Sequence, residues 1–303
     1  MGEKEMQFKR CVIGLVAGLA LGVAMIGNRS VAAASKDADI QVVASVDFYG
    51  EAAQAVLGDH GQVTSIIDQP NVDPHDYEPT TKVGKRVAKA DVAVYNGAGY
   101  DTWMTKLLKG KRHHTVKVSA AKVVGVKDGE NEHIWYKPQT MPKMANALAK
   151  QFGKLDKVHK AEYQKNAQTY IASLKPLLTL IDKLKANAGD KSVAVSEPVF
   201  VNALTYLGYK VNDAHFANAI EEGSDPSPAD IRKLDNAIKD KKIAFFVQNT
   251  QVESKIVDRV VKKCRTAGVP VLKVTETLPK GKDYTQWMTA QYQALEKIQT
   301  AEK

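Results

Sequence analysis

The stretch from Val158 to Ala186 constrains this chain more than any other. It is rich in Lys, Gln, Ala and Leu, which favour helix, and only Pro176 interrupts it. Leu174, Leu177, Leu178 and Ile181 give it an apolar stripe too narrow for the centre of a domain core. Such a helix suits a bridge between two bodies. At about 1.5 Å per residue it spans roughly 40 Å, with a bend expected at Pro176.

One pattern runs on both sides of this bridge. Before it, short strand-like runs at 40–46, 62–67, 91–95 and 115–118 alternate with helical segments at 48–57, 81–90, around Trp103–Leu108, and at 141–153. After it, strands at 192–196, 208–211, 243–247 and 269–274 alternate with helices at 199–207, 229–239, 252–267 and 284–299. Strands alternating with helices imply parallel sheets covered on both faces. The expected fold is α/β, with two parallel-sheet α/β lobes joined by one long helix. The expected divisions are an N-terminal lobe over 35–157, a linking helix over 158–186 and a C-terminal lobe over 187–303.

Residues 1–34 stand apart from this pattern. Lys9 and Arg10 precede an apolar run from Cys11 to Gly27, and Val31-Ala32-Ala33-Ala34 follows. A charged start, an apolar middle and a small-residue end make a secretory signal peptide. The expected location is therefore extracytoplasmic, in a periplasm or at a cell surface. Cys11 lies in this segment and Cys264 is alone after it, so no disulfide framework is available. Cys264 falls in step with Ile256 and Val260 on one helix face and reads as a buried core thiol. The net charge is +9, but the lysines are scattered and aromatics make up only 7% of the chain. Neither a basic stripe nor a base-stacking surface is present, so nucleic acid is not an expected partner.

Two stiff loops carry the chemistry. In Asp73-Pro74-His75-Asp76-Tyr77-Glu78-Pro79, each proline fixes its own φ and pushes the preceding residue toward extended geometry. A stiff loop holds an imidazole in one orientation, as metal ligation requires. The second loop is Asn131-Glu132-His133-Ile134-Trp135-Tyr136-Lys137-Pro138. In the second half, Glu197 and Glu276 sit at the carboxyl ends of strands, where α/β sheets bind ligands. Alone, either glutamate could be a carboxylate at a helix N-terminus, favoured by the dipole. If the halves face each other, all four converge on one cleft. Two imidazoles and two carboxylates with no thiolate suit zinc or manganese.

At these residues the chain resembles the zinc/manganese solute-binding proteins of metal ABC transporters, the cluster with one rigid interdomain helix. The resemblance covers about Ile40 to Ile298. The loop 73–79 matches the first-ligand loop and Glu132-His133-Ile134-Trp135 with Pro138 matches the second. Ser196-Glu197-Pro198-Val199-Phe200 is similar to the third-ligand position of one subgroup, and Val274-Thr275-Glu276-Thr277-Leu278-Pro279 to the fourth, where many members carry aspartate. The resemblance implies capture of one divalent ion, Zn²⁺ or Mn²⁺, as cargo for a membrane permease. His75, His133, Glu197 and Glu276 would be its ligands, while Asn96, Gln248 and Asn249 would orient ligands or line the site. Two features depart from common members. Cys11 stands at the start of the apolar run, where a lipid-anchoring cysteine follows it. The loop before His133, Asp128-Gly129-Glu130, is short and acidic, where many zinc-specific members carry a long His-rich loop.

His113-His114 lie in a basic turn, and His60, His159 and His215 read as surface residues. Trp103, Trp135 and Trp287 read as packing residues. No H-E-x-x-H is present, and four converging ligands leave little room for a catalytic water, so the chain is not expected to be an enzyme. The alternatives on such a scaffold are a surface adhesin, a binder of haem or a siderophore and, further off, a metallohydrolase. A monomer is expected.

Overall fold

Two parallel sheets of four strands each organise the chain. In the computed structural model, which describes residues 39–109 and 114–301, β1 (Ile40–Val46), β2 (Gly61–Ile67), β3 (Val92–Tyr95) and β4 (Val116–Ser119) form the first sheet, in order β2-β1-β3-β4. The second has β5 (Ser192–Val195), β6 (Lys210–Val211), β7 (Phe246–Asn249) and β8 (Val271–Val274), in order β6-β5-β7-β8. Both sheets reverse strand order beside their first strand, the switch point at which open α/β sheets bind ligands. The signal peptide expected over 1–34 and His113 lie outside the described residues.

Helices cover the sheets. In the first half they are α1 (Asp47–Leu57), α2 (Thr81–Lys89), α3 (Thr102–Leu107), α4 (Ala120–Val124) and α5 (Thr140–Leu155). The bridge comprises α6 (Lys160–Ser173) and α7 (Lys175–Ala188), meeting at Leu174. The second half carries α8 (Val201–Leu207), α9 (Ala214–Glu221), α10 (Pro228–Lys239), α11 (Lys255–Ala267) and α12 (Tyr284–Ala301). Their termini follow local chemistry. Thr80 caps α2, Ser227 caps α10 and Ser254 caps α11, each hydroxyl accepting a backbone N–H of the first turn. Gly208 and Gly268 end α8 and α11 in the left-handed conformation that glycine tolerates best.

The bridge is less independent of the lobes than its polarity suggests. Its first segment, α6, buries Tyr163, Ala167 and Tyr170 while packing on α1 and α5. Its second, α7, buries Leu177, Ile181 and Leu184 while packing on α8 and α12. The break falls at Leu174, just before Pro176, whose missing N–H is harmless in a first helical turn.

One continuous core runs through both sheets, from Val43 and Val94 to Val193, Val247 and Leu272. Aromatic side chains join its halves. Phe48 of α1 lies 5.6 Å from Trp287 of α12, and Tyr136 lies 5.0 Å from Phe200. Trp135, Tyr136 and Trp287 are all buried, each burial contributing on the order of 3 kcal/mol. Trp103 is buried as well, so the three tryptophans pack as expected. Cys264 is fully buried, and burial pushes its thiol up to about 12. His215 lies on α9, an element that composition did not mark.

Candidate metal centre

Each candidate side chain lies in a segment beyond the carboxyl end of a strand, with α4 intervening before His133. His75 lies in the loop after β2, where Asp73 Oδ1 accepts its backbone N–H at 2.8 Å and Pro74 is buried. This short-range turn between two prolines fixes the imidazole. Its ring packs edge-on against Tyr100 at 4.9 Å.

His133 follows β4 and α4 and is fully buried. Asn131 Oδ1 accepts its N–H at 2.9 Å, and Asn202 Nδ2 from the second half donates to its carbonyl at 3.0 Å. Trp135 and Tyr100 flank its ring at 5.2 and 6.1 Å. Neither ring nitrogen has a hydrogen-bond partner. Buried polar atoms are rarely left so, because each orphan costs about 1–3 kcal/mol. Burial, then the neighbouring His75, drives its pKa well below the ordinary imidazole value. The ring is therefore neutral and available as a donor of lone pairs.

The carboxylates come from the second sheet. Glu276 Oε1 stands 3.7 Å from His75 Nε2 and 4.0 Å from His133 Nε2. Glu197, after β5, is 6% exposed and accepts from Asn249 Nδ2 at 2.7 Å. Burial raises Glu276 to about 8, with Asp73 and Glu197 adding repulsion. Burial also raises Glu197 to about 7, against the lowering effect of Asn249. His75, His133 and Glu276 each offer a donor atom within 4.8 Å of the others. A cation with bonds of about 2.1 Å reaches donors roughly 4 Å apart, so these three fit around one ion.

Two of the three expected supporting residues touch the site. Asn96 is buried, accepts from Tyr49 Oη at 2.6 Å and donates through Nδ2 to the Glu132 carbonyl at 2.9 Å, bracing the His133 loop. Asn249 orients Glu197. Gln248 makes no hydrogen bond to the four residues; successive strand side chains face opposite ways, so Gln248 points away from Asn249. Gln251 takes the place expected for Gln248, accepting the Glu276 and Thr277 N–H groups at 2.6 and 2.9 Å.

Sequence reasoning also missed Glu221 and Glu132. Glu221 Oε1 is 3.6 Å from His133 Nε2, and Glu132 Oε1 is 4.0 Å from His75 Nε2. Burial raises Glu221 to about 8, reinforced by Glu132, Glu197, Glu276 and Glu222. No lysine or arginine pairs with these carboxylates among the described residues. The remaining histidines lie elsewhere. His60 and His159 are stacked at 3.8 Å beside Asp156, rather than separate surface residues, and His114 is exposed.

Two parallel α/β sheets with a buried imidazole–carboxylate cluster beyond their strand ends have the donor set of a divalent-metal binding protein. The family profile "Zinc-uptake complex component A periplasmic" matches residues 42–298. The high-affinity zinc uptake system protein ZnuA of Bacillus subtilis is 27% identical over 291 residues, covering 88% of each chain. The manganese-binding lipoprotein MntA of the same organism is 25% identical over 267 residues, covering 84% of this chain and 86% of that one. Among solved structures, the periplasmic zinc-binding protein TroA of Treponema pallidum superposes with a TM-score of 0.71 at 18% identity, over 87% of this chain and 99% of that one. The chain belongs to the family of periplasmic zinc-uptake component A. It is the substrate-binding protein of a metal ABC transporter for zinc or manganese uptake, works outside the cytoplasm with a membrane permease, and is not an enzyme.

Proposed function

We propose that His75, His133, Glu197 and Glu276 hold one divalent cation, Zn²⁺ or Mn²⁺, as cargo in the cleft between the lobes. Residues 35–157 and 187–303 form those lobes, 158–186 link them, and the protein delivers its ion as a monomer. The observation that carries this reading is the fully buried His133 ring, whose unpartnered Nε2 faces the Glu276 carboxylate at 4.0 Å. An ion between them would use a lone pair that otherwise has no partner and would neutralise carboxylates that repel one another. The close approach of the donors supports an ion, not an organic ligand such as haem or a siderophore. Asn96 and Asn249 hold the His133 loop and Glu197 in place.

Native mass spectrometry with metal analysis tests the reading. One ion per protein molecule is expected. His133→Ala and Glu197→Ala should each weaken binding at least tenfold in calorimetric titration. Wild-type affinity in either variant would remove that residue from the ligand set, and two tight ions that survive loss of His75 would overturn the single site.

A further inference from the structure

Glu221 closes α9, an eight-residue helix anchored by Phe216 and Ile220 in the core of the second lobe. Glu221 and Glu222 therefore stand at a helix C-terminus, where the macrodipole disfavours negative charge and favours a cation. Among the described residues no basic side chain pairs with them there. Glu221 Oε1 has no hydrogen-bond partner and faces the orphaned Nε2 of buried His133 at 3.6 Å, closer than Glu276 does. With His75 and Glu132 it forms a second set of donors within 4.8 Å of one another. His75 belongs to both sets, so they are two sides of one site.

We infer that Glu221 is a further ligand of the bound cation and shifts the preference of the site toward Mn²⁺, an inference that rests on the cleft being the cargo site. The distinction is one of coordination number. Zinc in a closed protein site takes four ligands, a number that the proposed set of His75, His133, Glu197 and Glu276 would supply. Manganese prefers a larger, oxygen-rich sphere, to which the Glu221 carboxylate adds an oxygen donor 3.6 Å from His133 Nε2. A fifth ligand, and an oxygen one, strengthens Mn²⁺ binding and does little for Zn²⁺. It narrows the advantage that zinc has over manganese at most nitrogen–oxygen sites.

The test compares wild type, Glu221→Gln and Glu221→Asp in full-chain mature protein, titrated with Mn²⁺ and Zn²⁺ against a chromophoric chelator. Glu221→Gln is close to isosteric. It should weaken Mn²⁺ binding at least tenfold and Zn²⁺ binding less than threefold. Glu221→Asp keeps the charge but shortens the arm, and should behave like the glutamine variant. Water-exchange relaxation of the Mn²⁺-loaded protein should show one more bound water in Glu221→Gln than in wild type, a change that a purely structural role would not produce. Equal weakening of both metals, no change in either, wild-type behaviour of Glu221→Asp, or an unchanged water count would each overturn the inference. Failure of the wild type to bind either metal would instead overturn the reading of the cleft.

Discussion

Gln251 Oε1 accepts the backbone N–H of Glu276 at 2.6 Å, so a side chain outside the proposed ligand set holds the Glu276 loop in place. The same amide reaches across the cleft, its Nε2 donating to the Pro70 carbonyl at 2.5 Å. Thr277 Oγ1 donates to that carbonyl at 2.8 Å. The His75 loop and the Glu276 loop thus share one hydrogen-bonded junction. Gln251→Ala would leave two N–H groups short of a partner, at about 1–3 kcal/mol for each one that stays buried. We expect a lower melting temperature and metal binding weakened about tenfold, measured by competition with a chelator. Unchanged affinity would mean that the Glu276 loop positions itself.

The raised carboxylates set a pH dependence. Glu276 and Glu221 sit at about 8 in the folded chain and Glu197 at about 7, against a usual 4.5. Between 4.5 and 8 the folded apo protein therefore holds more protons than the unfolded chain, and its stability falls as pH rises. His133 opposes this only below its usual 6.5, where the unfolded chain gains a proton that the buried ring refuses. The clean window is 6.5 to 8. At roughly 2–4 °C per kcal/mol for a domain near this size, the apo melting temperature should drop by several degrees across it. The metal-loaded protein should not drop, because metal binding displaces those protons and strengthens with pH. Calorimetric scans showing an apo protein that gains stability from pH 6.5 to 8 would contradict the electrostatic account.

Glu276→Gln separates stability from binding. At pH 8 the glutamine removes a partly ionised carboxylate that burial, Asp73 and Glu197 all disfavour. The apo variant should melt above apo wild type while binding metal at least tenfold more weakly, a trade-off common at functional sites. A variant that melts lower at pH 8 would show that Glu276 stabilises the fold on its own account.

Much of this was legible because it is local. Alternating strand and helix runs mark the two sheets, and proline spacing marks the His75 loop. Asn96 and Asn249 stand at strand ends, but their place beside the site came from the family resemblance. What escaped depends on distance in the chain. Helix α9 is short and follows Asn212-Asp213, which reads as a loop, so nothing in the sequence pattern singled out Glu221. Its position at a helix C-terminus is informative only once the helix is known. Gln248 and Gln251 could not be separated by composition; strand alternation and the turn after β7 decide which one meets Glu276. His60 and His159 lie far apart in sequence, and only packing of α6 beside the start of β2 stacks them.

Lobe motion should be small. The lobes share a continuous core, and Tyr284 Oη donates to the Trp135 carbonyl at 2.7 Å while Asn131 Nδ2 donates to Pro198 O at 2.8 Å. Large closure needs a few hinge residues free to rotate. Small-angle scattering should give nearly the same radius of gyration with and without metal, while the melting temperature rises on loading by mass action. A contraction of several ångströms would make the Leu174 junction a working hinge.

The central claim is that one cation sits among His75, His133, Glu197 and Glu276. Anomalous diffraction from crystals of the Mn²⁺- or Zn²⁺-loaded protein, collected at the metal edge, addresses it directly. The account predicts a single strong peak within bonding distance of all four side chains. A cleft without a peak, or a stronger peak beside His60, Asp156 and His159, a separate histidine–carboxylate cluster among the described residues, would contradict it.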